Sequence, residues 1–316
     1  MIFDDIGSFP LPEGIDREWV EKNVDSREYE EMVKRAFMMK VKAGVDLPNY
    51  PQFRDMNTMF LDLMKDEELQ EDVYVIRKKH ARIREVEALL SMEIEAMRAC
   101  ITGPFELYYQ EFGTVIYDDL LERIATSVGR FIQNLDAEKV GCVSLDEPSL
   151  GTNPDLQPSR DQIEIAYEKV SFKNDVQIHL HSPLFYTEIL DVDSIDVIGI
   201  ESAKDEKAME AVDAEELESH EKFIRIGIAR SDIDGIIAEY NSIHNTNVWG
   251  DDEGILNAID EIESKDAIRN RLKKALEMFE DRLRYIGPDC GLFSFPKQEH
   301  AVKLLENVNM ARRIDE

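Results

Sequence analysis

Two periodicities alternate along this chain. At helical spacing, Ile83, Val86, Leu90, Ile94 and Met97 fall on one face, as do Leu121, Ile124, Val128, Phe131 and Leu135, and later Ala301, Leu304, Leu305 and Val308. Between these amphipathic stretches lie short β-branched runs at residues 140–145, 176–180, 195–200 and 223–228, with less marked ones at 45–50 and 283–286. Most of the runs are apolar throughout, as strands buried on both faces of a parallel sheet are. The start of the chain, 2–7, and a weaker run at 99–102 bring the expected strands to eight, and strands that alternate with helices pair in parallel. Eight strands in about 290 residues match a closed barrel. No Gly-, Ser- or Pro-rich linker divides the sequence. The expectation is one domain over residues 1–316, a (β/α)8 TIM barrel, with an open doubly wound sheet as the alternative.

The unusual polar residues favour the barrel, because they follow the apolar runs one after another. They are Ser8, Gln52 to Asp55, Thr102 to Pro104, Asp146 to Pro148, His179 and His181, Glu201 and Ser202, Arg230 to Asp232, and Pro288 to Gly291. A barrel gathers the carboxyl ends of its strands at one mouth, where its chemistry is done.

Charge narrows the partners. The 316 residues include 67 Asp and Glu against 37 Lys and Arg, a formal net charge of −30. A field of that sign repels phosphate backbones and anionic headgroups, so neither nucleic acid nor a membrane surface is an expected partner. No apolar run approaches the roughly 20 residues a membrane span needs, and the first residues lack a basic stretch, so the expected location is cytoplasmic. Three cysteines, Cys100, Cys142 and Cys290, do not suggest a disulfide framework.

His179 and His181 stand two apart, so in an extended strand both imidazoles project to one face and can share a metal. Alone, such a pair is equally at home in packing or on a surface. Glu201, however, ends the next apolar run, and Cys290 lies in the turn-forming Gly287-Pro288-Asp289-Cys290-Gly291 that ends the last. A set of two histidines, a glutamate and a cysteine suits the borderline-soft preference of zinc. Hydrolytic zinc barrels also carry a His-x-His pair, but at the first strand and with a closing aspartate; here the pair ends the fifth expected strand and the closing residue is Cys290. Zinc with a thiolate ligand and an exchangeable position can bind a substrate thiol and lower its pKa, which points to alkyl transfer onto sulfur.

Asp146 and Glu147, ahead of Pro148, are either a helix cap or acceptors for a substrate ammonium group. Ile6-Gly7-Ser8 is either a simple turn or a set of backbone N–H groups for a carboxylate. Cys100 and Cys142 are expected to pack inside, and His80, His220, His244 and His300 to be solvated.

Five stretches in order, Asp5-Ile6-Gly7-Ser8-Phe9-Pro10, Leu145-Asp146-Glu147-Pro148, His179-x-His181, Ile198-Gly199-Ile200-Glu201-Ser202 and Gly287-Pro288-Asp289-Cys290-Gly291-Leu292, resemble the motifs of the cobalamin-independent methionine synthase family, specifically of its catalytic C-terminal barrel. The resemblance runs from Asp5 to about Lys297. It implies a zinc-bound homocysteine thiolate that attacks an activated methyl group. His179, Glu201 and Cys290 match metal ligands of the family, while Ser8, with the Ile6 and Gly7 backbone, and Asp146 match amino-acid-binding positions.

Three departures from the family pattern bear on the chemistry. His181 stands where the family has a cysteine, which makes the ligand set and zinc formally neutral instead of negative; the bound thiol's pKa falls further and its thiolate becomes a weaker nucleophile. Gln52, in Tyr50-Pro51-Gln52-Phe53-Arg54-Asp55-Met56, replaces an acid expected near the ammonium group. Near Gly227-Ile228-Ala229-Arg230-Ser231-Asp232 there is no counterpart to a histidine of the long enzymes, and Asp232 or Arg230 is the candidate for its place.

The chain has no counterpart of the N-terminal half that helps long family members bind polyglutamylated methyltetrahydrofolate. The implied donor is therefore a methylcorrinoid, as free methylcobalamin or on a corrinoid carrier protein. The expected function is zinc-dependent methyl transfer to homocysteine, forming methionine, with Asp146 and Asp232 as catalytic candidates. A close variant methylates coenzyme M or another small thiol. Two other classes are a decarboxylase on the related uroporphyrinogen-decarboxylase barrel, for which arginines at the mouth are few, and a non-catalytic corrinoid- or metal-binding protein.

Overall fold

The computed structural model describes residues 1–313. Its strands are β1 (Ile2–Phe3), β2 (Gln70–Asp72), β3 (Val75–Ile76), β4 (Met97–Thr102), β5 (Val140–Asp146), β6 (Asp175–Leu180), β7 (Val197–Ile200), β8 (Phe223–Ala229) and β9 (Leu283–Pro288). Seven of them form one all-parallel sheet in the order β1-β9-β8-β7-β6-β5-β4, and β2 and β3 form a separate antiparallel hairpin that the apolar pattern does not announce. Helices connect the parallel strands, and the main apolar core fills the space between them and the sheet. Among the described residues, no helix is long and apolar enough to cross a membrane.

The sheet curls until its edge strands, β1 and β4, meet the same segment. Leu47 and Gln52 bridge Asp4 and Ser8 on one side, and Asn49 bridges Arg98 on the other, all in parallel. The strand expected at 45–50 is reduced to these isolated bridges for a reason visible in its sequence. Pro48 and Pro51 have no N–H to give a ladder. The Asn49 side chain takes over instead: Nδ2 donates to the Gly7 and Tyr50 carbonyls at 2.8 Å, and Oδ1 accepts from the Cys100 N–H at 3.0 Å. The result is an α/β fold with a curled parallel sheet, compatible with the expected (β/α)8 barrel.

The helical face expected from Ile83 to Met97 is cut in two. Helix Arg84–Leu90 stops at Ser91, and Met97 opens β4, all six of whose residues are buried. Burial in the sheet overrides the helical spacing that Ile94 and Met97 continue by coincidence. The other two faces lie on helices Asp118–Gln133 and Gln298–Arg312, with Leu135 just beyond the first. His300, in the first turn of the latter helix, is buried rather than solvated, its Nε2 3.7 Å from Asp252 Oδ1.

On the inner side of the curled sheet, alternate residues of each strand stack in layers. At the amino ends Leu47, Cys142, Val197 and Tyr285 form an apolar plug. Above it Asp4 lies between two arginines: Oδ1 accepts from Arg225 Nε at 3.0 Å, and Oδ2 pairs with Arg98 Nη2. Gln177 Oε1 accepts from the same Arg98 nitrogen at 3.1 Å. Two residues further along the strands come Asp146, His179, Glu201, Gly227 and Asp289, at the carboxyl ends.

Candidate functional site

His179 is the penultimate residue of β6, and His181 follows the strand's last residue. Their spacing of two brings both rings to one side, with centroids 5.3 Å apart. Glu201 follows β7, which pairs with β6 through His179 and Gly199. Cys290 follows β9 by one residue. One ligand atom from each of His179, His181, Glu201 and Cys290 lies within 4.8 Å of all the others. Glu201 Oε1 is 3.6 Å from His179 Nε2 and 3.3 Å from His181 Nε2, and Cys290 Sγ is 3.5 Å from His181 Nε2.

Three polar atoms of this cluster lack hydrogen-bond partners. Both ring nitrogens of buried His179, and Glu201 Oε1, make no hydrogen bond, an expensive state for buried polar groups unless something else satisfies them. Burial, with the charges of Arg225 and Arg98 beneath, holds the His179 imidazole down at about 3, and burial with His179 lowers His181, so both are neutral donors. Burial, with the Glu201 charge, pushes the Cys290 thiol up, so a cation is what would favour its thiolate. Two neutral imidazoles, a carboxylate and a cysteine sulfur fit zinc.

Beside the cluster, polar groups converge on Gly7. Gly7 has φ of +62°, and a Cβ built there would stand 3.6 Å from Gln52 Oε1, 3.9 Å from the Gly291 Cα and 4.0 Å from Asp146 Oδ2. Gln52, Asp146 and the residue after Cys290 thus face one space that glycine keeps open. The amide nitrogen of Gln52 points the other way, to Tyr50 Oη at 3.4 Å and Met59 Sδ at 3.3 Å, so its carbonyl faces Gly7. Ser144 Oγ donates to Asp146 Oδ1 at 2.9 Å, and burial pushes the Asp146 carboxyl up to about 6. Ser8 packs against Gly291, where a Cβ would be 2.4 Å from the serine Oγ. The Gly7 N–H donates to Cys100 Sγ at 3.2 Å, so Gly7 contributes space there rather than a free donor; Ile6 is buried.

Other residues singled out in the sequence lie elsewhere. Glu147 caps helix Pro104–Phe112, accepting from the Phe105 and Glu106 N–H groups at 3.1 and 2.6 Å and from Tyr167 Oη at 3.0 Å. Asp232 caps helix Ile233–His244 through Gly235 N–H and pairs with Lys204 at 2.6 Å, while Arg230 pairs with Glu239 at 2.6 Å. Neither is among the four clustered residues. A buried residue to which the sequence reading gives no role, Asp289, binds the backbone of the loop after Glu201.

No protein-family model matches the chain. It is similar to the 5-methyltetrahydropteroyltriglutamate–homocysteine methyltransferase of Yersinia enterocolitica, 27% identical over 244 residues, which are 72% of this chain and 28% of that enzyme. The Cronobacter sakazakii enzyme of the same name is 27% identical over 242 residues, with 71% and 28% covered. The chain therefore spans 28% of the length of these relatives. In fold it resembles a B12-independent methionine synthase from Shewanella sp. solved in complex with selenomethionine, with a TM-score of 0.61 and 14% identity over 98% of this chain and 96% of that one. A putative B12-independent methionine synthase from Listeria monocytogenes gives 0.60 and 16% over 97% and 95%. None of these names supports the corrinoid donor expected from the sequence; the first two name a methyltetrahydropteroyl compound, and the others are B12-independent.

Proposed function

We propose that the chain is a member of the cobalamin-independent methionine synthase family and a zinc-dependent methyltransferase that methylates the thiol of homocysteine to give methionine. We also read its curled sheet as a (β/α)8 barrel forming one catalytic domain, with 47–52 as the second stave, because that segment bridges both edge strands. The observation that carries the functional reading is the convergence of His179, His181, Glu201 and Cys290 with His179 left unpartnered. Bound by these residues, zinc would supply a Lewis acid that favours the thiolate form of a substrate thiol.

We read the space beside Gly7 as a pocket for an amino-acid acceptor. Asp146 Oδ2 and Gln52 Oε1 face the same space and both accept hydrogen bonds, which suits an ammonium group. Asp146 supplies the charge and Gln52 a neutral second acceptor. Buried in the ring, Asp146 can hold an ammonium group with little competition from water.

The test is zinc content of the purified protein together with methionine formation from homocysteine, with methylcobalamin and a methyltetrahydropteroylglutamate offered separately as donors. Zinc at about one equivalent per chain and a homocysteine-dependent product with either donor are expected. A metal-free protein inactive with both overturns the reading.

Asp146→Asn removes the only carboxylate shown facing the pocket beside Gln52. Loss of a charge-assisted hydrogen bond of about 1.5–3 kcal/mol predicts a roughly 10- to 100-fold fall in kcat/KM for homocysteine and little change for a thiol lacking the amine. The wild-type enzyme should show the same loss with acid. Its Asp146 carboxyl, raised to about 6, is charged above that pH and neutral below it. KM for homocysteine should therefore rise as pH falls through 6, and KM for an amine-free thiol should not follow.

A further inference from the structure

The strands that carry Glu201 and Cys290 are not neighbours. β8 lies between β7 and β9, so no ladder hydrogen bond joins the two metal donors. What joins them is the buried carboxylate of Asp289. Its Oδ1 accepts from the Ser202 and Ala203 N–H groups, both at 2.9 Å, and its Oδ2 from the Lys204 N–H at 3.1 Å. Three successive backbone N–H groups around one carboxylate make an anion nest, and this nest begins at the residue after Glu201. Cys290 is the residue after Asp289.

The middle strand leaves room for this reach. A Cβ on Gly227 of β8 would stand 2.1 Å from Asp289 Oδ1, so only glycine lets the carboxylate cross the strand's end. Ser202 Oγ donates to the Gly227 carbonyl at 2.9 Å, seating the same loop on β8. From the other side, the Asp289 N–H donates to the Ala229 carbonyl at 2.8 Å, and Arg225 donates to the Pro288 and Asp289 carbonyls at 2.6 and 3.4 Å.

We propose that Asp289 is a positioning residue that sets the separation of Glu201 and Cys290, clipping the β7 loop to the Cys290 turn across Gly227. The proposal rests on the metal reading of the site. Groups that orient metal ligands without touching the metal typically contribute 10- to 100-fold to its affinity.

The test compares wild type, Asp289→Ala, Asp289→Asn and Gly227→Ala. Zinc affinity is measured by competition with a chromophoric chelator, and amide hydrogen exchange is followed in the metal-free proteins. Asp289→Ala is expected to bind zinc about 10- to 100-fold more weakly and to lose protection at residues 202–204 while the sheet strands keep theirs. Asp289→Asn retains one acceptor oxygen and should fall between it and wild type. Gly227→Ala displaces the carboxylate without altering it and should resemble Asp289→Ala. Wild-type affinity in Asp289→Ala overturns the proposal alone, and so does protection lost throughout the sheet, which would mark a general structural role. If Asp289→Ala does not fold, Asp289→Asn with native affinity and native exchange overturns it. A wild-type protein that binds no zinc overturns the metal reading and this proposal with it.

Discussion

Cys290→Ser and His179→Ala are each expected to strip zinc from the purified protein. Four-ligand zinc sites hold the metal with about 10–16 kcal/mol, so one ligand accounts for roughly 3 kcal/mol, about a 100-fold loss of affinity. Chelator competition reads that loss directly, and methionine formation should fall with it. The two variants should differ in stability. His179 is fully enclosed, and its removal leaves a cavity, whereas Cys290 is only partly buried and serine nearly preserves its shape. His181→Ala discriminates further. His181 is about one-third exposed, so its loss should shift the unfolding free energy of metal-free protein by no more than about 0.5 kcal/mol. Zinc affinity that falls as far in His181→Ala as in Cys290→Ser makes His181 a ligand; unchanged affinity leaves a three-residue set.

The donor cluster was legible because its geometry is local. Two residues apart on a strand means one face, and Glu201 and Cys290 could be placed once the ends of their apolar runs were located. The same period-two rule separates Asp146 from Glu147: adjacent strand residues face opposite ways, so Asp146 follows Ser144 inward while Glu147 turns out to cap a helix. The role of Asp289 was not legible, since nothing in the sequence pairs it with Ser202 until β7 and β9 are known to flank β8.

The ionic layer inside the curled sheet was hidden for a different reason. Runs such as Phe223-Ile224-Arg225-Ile226 read as continuous buried strand because their apolar residues dominate the count, yet Arg225 turns inward to Asp4. Arg98 and Arg225, each inside a β-branched or apolar run, were the available signal. The segment 45–50 read as a strand on its apolar residues; Pro48, Pro51 just beyond it and Asn49 carried the information that its ladder would be interrupted and completed by a side chain.

That ionic layer predicts the largest effect on stability. Asp4 is the one carboxylate between Arg98 and Arg225, and all three side chains are 0% exposed. Arg98 has little else: Gln177 shares one of its nitrogens, and its Nε and Nη1 have no partner. Removing one member of a buried ionic group strands the others in a medium that solvates charge poorly, which costs about 3–5 kcal/mol. Against a total stability of roughly 5–15 kcal/mol, Asp4→Ala should shift the urea midpoint far down or prevent folding altogether. Asp4→Asn retains an acceptor for one arginine and should lose less. Added salt should rescue neither variant, because screening acts on exposed charges and these are enclosed. The damage should also reach the mouth, since Arg225 holds the Pro288 carbonyl two residues before Cys290. Asp4→Asn should therefore weaken zinc binding even where it remains folded. An Asp4→Ala protein with a wild-type urea midpoint would show that Arg98 and Arg225 are satisfied without Asp4, and would remove the ionic layer from the account of what supports the metal ligands.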